Sequence, residues 1–117
     1  MKLVIEKVAG GVTRIDIEGR LDIDGVREVE DTFAFAVSTK QGRIAVNLAG
    51  VTFLSSIGIR MLMTAARGQQ QRGGKIAFAA PGSLVKHVLE TAGIDRLVPV
   101  HDAVAEAIAA VLPAASH

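Results

Sequence analysis

Apolar and polar positions change period several times along this chain, and each change predicts an element boundary. Leu3 to Val8 and Val12 to Ile17 are short runs rich in β-branched residues, separated by Gly10-Gly11 in the manner of an amino-terminal hairpin. In the second run Val12, Arg14, Asp16 and Glu18 alternate with Thr13, Ile15 and Ile17. Alternation with a period of two puts the first, mostly polar set on one face, which predicts a strand with one side toward solvent.

Past Leu21 the period lengthens. Val26, Val29, Phe33 and Val37 recur at three- and four-residue spacing and predict a helix with one buried stripe, capped by Asp22 or Asp24. Ile44 to Leu48 read as a buried strand. Ile59, Leu62, Met63 and Ala66 predict a second helix, with Arg67, Gln70 and Gln71 on its polar side. Gly73-Gly74 turn the chain into a short buried strand, Lys75 to Ala79. Pro81 and Ser83 open a third helix carried by Leu84, Val85, Val88 and Leu89, and Gly93 stands where a left-handed cap belongs. Leu97 to Val100 predict an edge strand, because Pro99 cannot donate to a central ladder. Asp102 is the expected cap of a terminal helix bearing Val104, Ile108 and Val111.

The order β-β-α-β-α-β-α-(β)-α predicts an α/β fold with an amino-terminal hairpin followed by β-α repeats. It calls for one mixed sheet of roughly four or five strands covered by about four helices, with right-handed crossovers and parallel inner strands. At 117 residues there is room for one core. We expect the domain to span residues 1–112, with residues 113–117 fraying. Half the residues are apolar and the only aromatics are four Phe, so that core must be aliphatic.

Charge and chemistry then exclude more than they suggest. A net charge of +1 without a basic block argues against nucleic acid as a partner. The absence of Cys excludes disulfides, thiolate metal sites and a thiol nucleophile, and fits a reducing compartment. Glu6 and Lys7 interrupt the first apolar run, and no stretch approaches the roughly 20 apolar residues of a membrane span. A cytoplasmic protein without direct membrane insertion is therefore expected. The carboxylates are scattered, and Asp22 with Asp24 lacks the further ligands of a calcium loop. Neither diglycine is followed by the Lys-Ser/Thr of a phosphate loop. His87, His101 and His117 read as surface residues rather than bases, so neither an enzyme nor a cofactor is expected.

One junction stands out. Ser55 and Ser56 lie where a strand gives way to a helix, and a serine there can cap the first turn for about 1 kcal/mol. The same free amides and positive helix end would also accommodate a phosphoryl group. A hydrolase nucleophile is excluded, because Leu54 stands where the elbow pattern Gly-x-Ser-x-Gly requires its first Gly before Ser56.

Several stretches together resemble the STAS domain, the family of sulfate transporters and anti-sigma factor antagonists. They are the hairpin, Gly19-Arg20-Leu21-Asp22, Asn47-Leu48 followed by Val51 through Arg60, Gly73-Gly74-Lys75, and Ala92-Gly93-Ile94 with Val85 and Leu89. The resemblance covers nearly the whole chain. It implies a stand-alone antagonist in bacterial partner switching, which binds an anti-sigma factor that is also a serine kinase. Phosphorylation by that kinase would release the antagonist, and a PP2C-type phosphatase would reset it. The family's acceptor commonly lies in Asp-Ser-Ser/Thr-Gly at the start of the second helix. In ungapped register Ser55 takes the place of the Asp, Ser56 that of the preceding Ser, and Ile57 that of the acceptor.

That departure implies one of three outcomes. A neighbouring serine takes the phosphate, Ser56 before Ser55; or docking persists without a switch; or the chain is a constitutive subunit of a lipid-trafficking transporter or stressosome-like assembly. The partner surface implied comprises Asp22, Leu54, Ser55, Ser56, Ile57, Gly58 and Arg60. Ile57 would either meet the partner or staple the domain internally. The alanine-faced segment Ala103 to Ala110 offers a surface for a homodimer.

Overall fold

A computed structural model describes residues 1–113. The tail expected to fray falls, apart from Pro113, outside the described residues, as does His117. The chain runs β1 (Lys2–Val8), β2 (Val12–Leu21), α1 (Ile23–Ala36), β3 (Arg43–Leu54), α2 (Ser56–Gln71), β4 (Lys75–Ala79), α3 (Ser83–Thr91), β5 (Val100–His101) and α4 (Val104–Val111). The five strands form one sheet in sequential order. β1 pairs with β2 antiparallel, and every later neighbour is parallel, as the β-α repeats require.

Alternation along the central strands builds two cores. Ile44, Val46, Leu48, Ile76 and Phe78 point to one face, where α1, α2 and α3 bury Val26, Phe33, Leu62, Val85 and Leu89. Ala45, Ala77 and Ala79 point to the other, where α4 lays Ala107 and Val111 against Val12. Small residues on this second face let α4 approach closely. They also explain why Val12, on the mostly polar side of β2, is fully buried: α4 covers that end of the strand.

Four expectations need correction. β3 continues to Leu54 rather than stopping at Leu48, because it stays paired with β2 beyond the end of β4. Leu84 is 59% exposed, since only Val85 and Leu89 of α3 reach the sheet fully. The last strand is Val100–His101, displaced toward the C terminus, and it leaves His101 half-buried rather than on the surface. Asp102 does not cap α4. Ala103 occupies that position, its N–H donating to Glu106 Oε1 at 3.1 Å, while Asp102 faces Lys86 Nζ at 3.4 Å.

A buried polar side chain fastens the lower ends of α1 and α2. Gln69 is fully buried; its Nε2 donates to the carbonyls of Val37 (2.8 Å) and Thr39 (2.9 Å), and its Oε1 accepts from the Gly42 N–H (2.7 Å). A Cβ at Gly74 would collide with Gln69 Oε1 and crowd the Gly42 carbonyl, so glycine is required there by close approach. Arg72 adds a bond from Nη2 to the Val37 carbonyl at 2.6 Å.

Replacing Gln69 by Leu keeps the volume and removes the amide. The Val37 carbonyl retains Arg72, but the Gly42 N–H and the Thr39 carbonyl lose their partner, at about 1–3 kcal/mol each. We expect Gln69→Leu to lower unfolding free energy by about 2–5 kcal/mol in a urea titration. A loss below about 1 kcal/mol would show that water substitutes for the amide.

Candidate functional site

Pairing between β2 and β3 brings the starts of α1 and α2 together. The register sets Leu21 opposite Leu54, the last residue of each strand, after irregularities near Glu18 and Gly19. One residue later each chain caps a helix. Asp22 accepts from the Gly25 N–H through Oδ1 at 2.9 Å, and Ser55 accepts from the Gly58 N–H through Oγ at 3.3 Å. Asp22 is thus the cap of α1, and Asp24 lies in its first turn.

The two serines differ in what binds them. Ser55 Oγ donates to the Leu21 carbonyl at 2.5 Å, and the Ser55 N–H reaches the same oxygen at 3.1 Å. Its hydroxyl is used on both sides. Ser56 is the first residue of α2 and is exposed. At this position the N–H groups of Ser56 and Ile57 have no intrahelical acceptor, so the helix end presents donors and positive potential beside the Ser56 hydroxyl.

Gly58 is buried at the same junction. A Cβ there would sit 2.9 Å from the Leu21 carbonyl oxygen and 2.9 Å from Leu54 Cδ1. The start of α2 therefore rests against the Leu21–Leu54 pair with no space for a side chain.

Ile57 is half-buried against the core, and Arg60 is exposed. Both line a groove of about 490 Å³ between α1 and α2, with Phe33, Ala34, Met61 and Ala65 also along it. Glu30 and Asp31 flank it on the α1 side. The structure thus brings Asp22, Leu54, Ser55, Ser56, Ile57 and Gly58 to one edge and sets Arg60 one turn down the groove.

Two neighbours escaped the sequence reading as site residues. Arg20 stands over the Phe53 ring, 4.4 Å from its centroid, and its Nε lies 3.4 Å from Asp22 Oδ2. The β2–β3 register places Arg20 directly opposite Phe53. Such a cross-strand pair has no signature in linear sequence. The Gly25 N–H, and then Arg20, hold the Asp22 carboxyl below its ordinary pKa.

Among the described residues there is no cluster of potential metal ligands, and no helix is long and apolar enough to cross a membrane.

A family model described as "Mlab, STAS domain" matches residues 6–99. The chain belongs to the STAS-domain family. A protein of Bordetella bronchiseptica named as an anti-sigma factor antagonist, BtrV, is 25% identical over 116 residues, covering 97% of this chain and 99% of BtrV. The fold matches the crystal structure of an anti-sigma factor antagonist from Mycobacterium paratuberculosis, with a TM-score of 0.83 at 22% identity over 94% of this chain and 92% of that one. It also matches the antagonist SpoIIAA in its unphosphorylated form, with a TM-score of 0.69 at 19% identity over 85% and 87% of the two chains. SpoIIAA from Bacillus in its phosphorylated form aligns with a TM-score of 0.65 at 18% identity over 85% and 90%.

The geometry carries two expectations. Gly58→Ala gains about 1 kcal/mol of helix propensity but presses on a backbone carbonyl that cannot retreat, an overpacking cost of about 1–3 kcal/mol. We expect a net loss in thermal stability, and a net gain would show that α2 can slide. The second concerns pH. Because the folded Asp22 pKa is lowered, its stabilising contribution is complete above the ordinary Asp range and is lost as pH falls through the folded value. Asp22→Asn should therefore lose less melting temperature than wild type between about pH 5 and pH 3. Parallel curves would assign the acid sensitivity to other carboxylates.

Proposed function

We propose that this STAS-family chain is an anti-sigma factor antagonist in a bacterial partner-switching pathway. It is a cytoplasmic binding protein, not an enzyme, and it docks a serine-kinase anti-sigma factor through the shared start of α1 and α2. Ser56 is the phosphoacceptor. The observation that carries this reading is the difference between the serines: Ser55 Oγ is held by the Leu21 carbonyl and the Gly58 N–H, while Ser56 is exposed at the helix start. The near full-length match to BtrV, named as an antagonist, supports the class of function.

The physical switch follows from charge. A phosphoserine carries about −1.5 to −2 charge. The first-turn N–H groups and the helix dipole accommodate it within this domain. A partner that buries the surface of Ile57 and Arg60 would instead have to desolvate the added charge, and it releases. A PP2C-type phosphatase restores the docking form.

One pair of observations favours a second reading. The matched family carries the description Mlab, and the family resemblance puts Ile57 in the place of the usual acceptor. Both fit a constitutive STAS subunit of a lipid-trafficking transporter or a stressosome-like complex, in which docking is permanent.

Incubation with a kinase-type anti-sigma factor from the same genome and ATP separates these readings. The expected result is an intact-mass gain of one phosphate, abolished by Ser56→Ala and retained in Ser55→Ala. Ser56→Asp should weaken the complex. Loss of the gain in Ser55→Ala alone moves the site to Ser55. Binding without phosphate transfer favours the permanent subunit, and absence of both overturns the antagonist reading.

A further inference from the structure

The two edges of the sheet differ. β5 is a two-residue strand preceded by Pro99. β1 is a seven-residue strand paired only with β2, so its outer row of backbone N–H and C=O groups is open. Long open edges are ordinarily shortened, bulged or covered, because they template pairing with another chain. Among the described residues β1 is neither shortened, bulged nor covered; it carries the charges of Lys2, Glu6 and Lys7, and Val4 and Ile5 are 38% and 41% exposed.

The side chains of β1 show what it can pair with. Lys2, Val4 and Glu6 share one face, opposite Glu18, Asp16 and Arg14 of β2, and Leu3, Ile5 and Lys7 share the other. A second β1 laid antiparallel about a two-fold axis at Val4 sets Lys2 against Glu6 and Glu6 against Lys2. It sets Val4 against itself and Leu3 against Ile5. Moving the axis one residue to Ile5 breaks this, placing Leu3 against Lys7 and Val4 against Glu6. The strand is self-complementary in one register.

Helix α1 supplies an independent observation on the same side. The Met1 amino group lies 3.1 Å from Glu28 Oε2, so the Glu28 side of α1 faces the start of β1. Phe35 follows Glu28 by seven residues, about 20° short of two full turns, and so projects from the same side of the helix. It is 82% exposed, the most exposed large apolar residue in the described structure. Phe35 and Ile5 are left uncovered along the flank of the open edge.

We propose that the β1 edge is a self-association surface whose occupant is a second copy of this chain, joined by antiparallel β1–β1 pairing centred on Val4. The two five-stranded sheets become one continuous sheet, and the two α1 helices run side by side over Leu3 and Ile5. This surface is distinct from the start of α2, so its test is independent of the phosphoacceptor assignment. It is also distinct from the alanine-faced segment Ala103 to Ala110, of which Ala107 is buried within the domain.

The chain has no cysteine, which makes cross-linking clean. Val4→Cys places two thiols on directly opposed residues of an antiparallel pair, with Cα atoms about 4.5–5.5 Å apart, within disulfide reach. Glu6→Cys separates them by four residues of strand, roughly 13 Å, and cannot bridge. Mild oxidation should convert Val4→Cys, and not Glu6→Cys, to a covalent dimer. Sedimentation of the uncross-linked chain should show Val4→Lys, which faces Asp16 within the chain but sets two like charges against each other across the axis, weakening the dimer about tenfold. A wild-type chain that stays monomeric overturns the proposal, as does equal cross-linking at both positions or a Val4→Lys change without effect.

Discussion

The Leu21 carbonyl is the point on which the candidate site turns. It accepts both the N–H and the hydroxyl proton of Ser55, and so joins the end of β2 to the start of α2. Because Leu21 and Leu54 are paired, the two helices that follow begin side by side, each with its cap in contact with its own first turn. Gly58 packs directly against the same carbonyl, which lets α2 begin close to the sheet. The adjacent serines therefore differ: Ser55 is held in place by the fold, and Ser56 is exposed at the helix start.

Gln69 performs the complementary task at the opposite end of α2. Its fully buried amide ties the end of α1 and the loop into β3 to α2 through three hydrogen bonds. Between these two attachments lies the groove of α1 and α2, lined by Phe33, Met61 and Ala65 among others. The partner proposed to meet Ile57 and Arg60 would find both flanking helices already ordered, which reduces the ordering cost of association.

Local patterns proved legible where the physics is local. The hairpin, the apolar stripes of α1 and α2, the Asp22 cap and the left-handed Gly93 (φ 74°) all depend on a few consecutive residues, and the structure contains each of them. Predictions failed where a distant segment intervened. Leu84 matches a helical stripe, yet the side of α3 that meets the sheet is that of Val85 and Leu89. Asp102 is a good cap residue, yet the helix begins one residue later. Val12 reads as part of a mostly polar face until α4 folds over it. Gln69 carries no signal at all, since an amide on a helix is ordinarily solvated and only the surrounding carbonyls make it a core residue.

By itself, the sequence determined the order of strands and helices, the family resemblance, and the serine pair at a strand-to-helix junction, because spacing and cap chemistry act over a few residues. Tertiary structure alone decided which serine is free, because the Leu21 carbonyl that occupies Ser55 lies 34 residues earlier in the chain. It likewise decided that Arg20 meets Phe53, that Gln69 is buried and that β1 is left at an open edge. Each of these depends on strand register and helix packing, which bring together residues that nothing in the linear order makes neighbours.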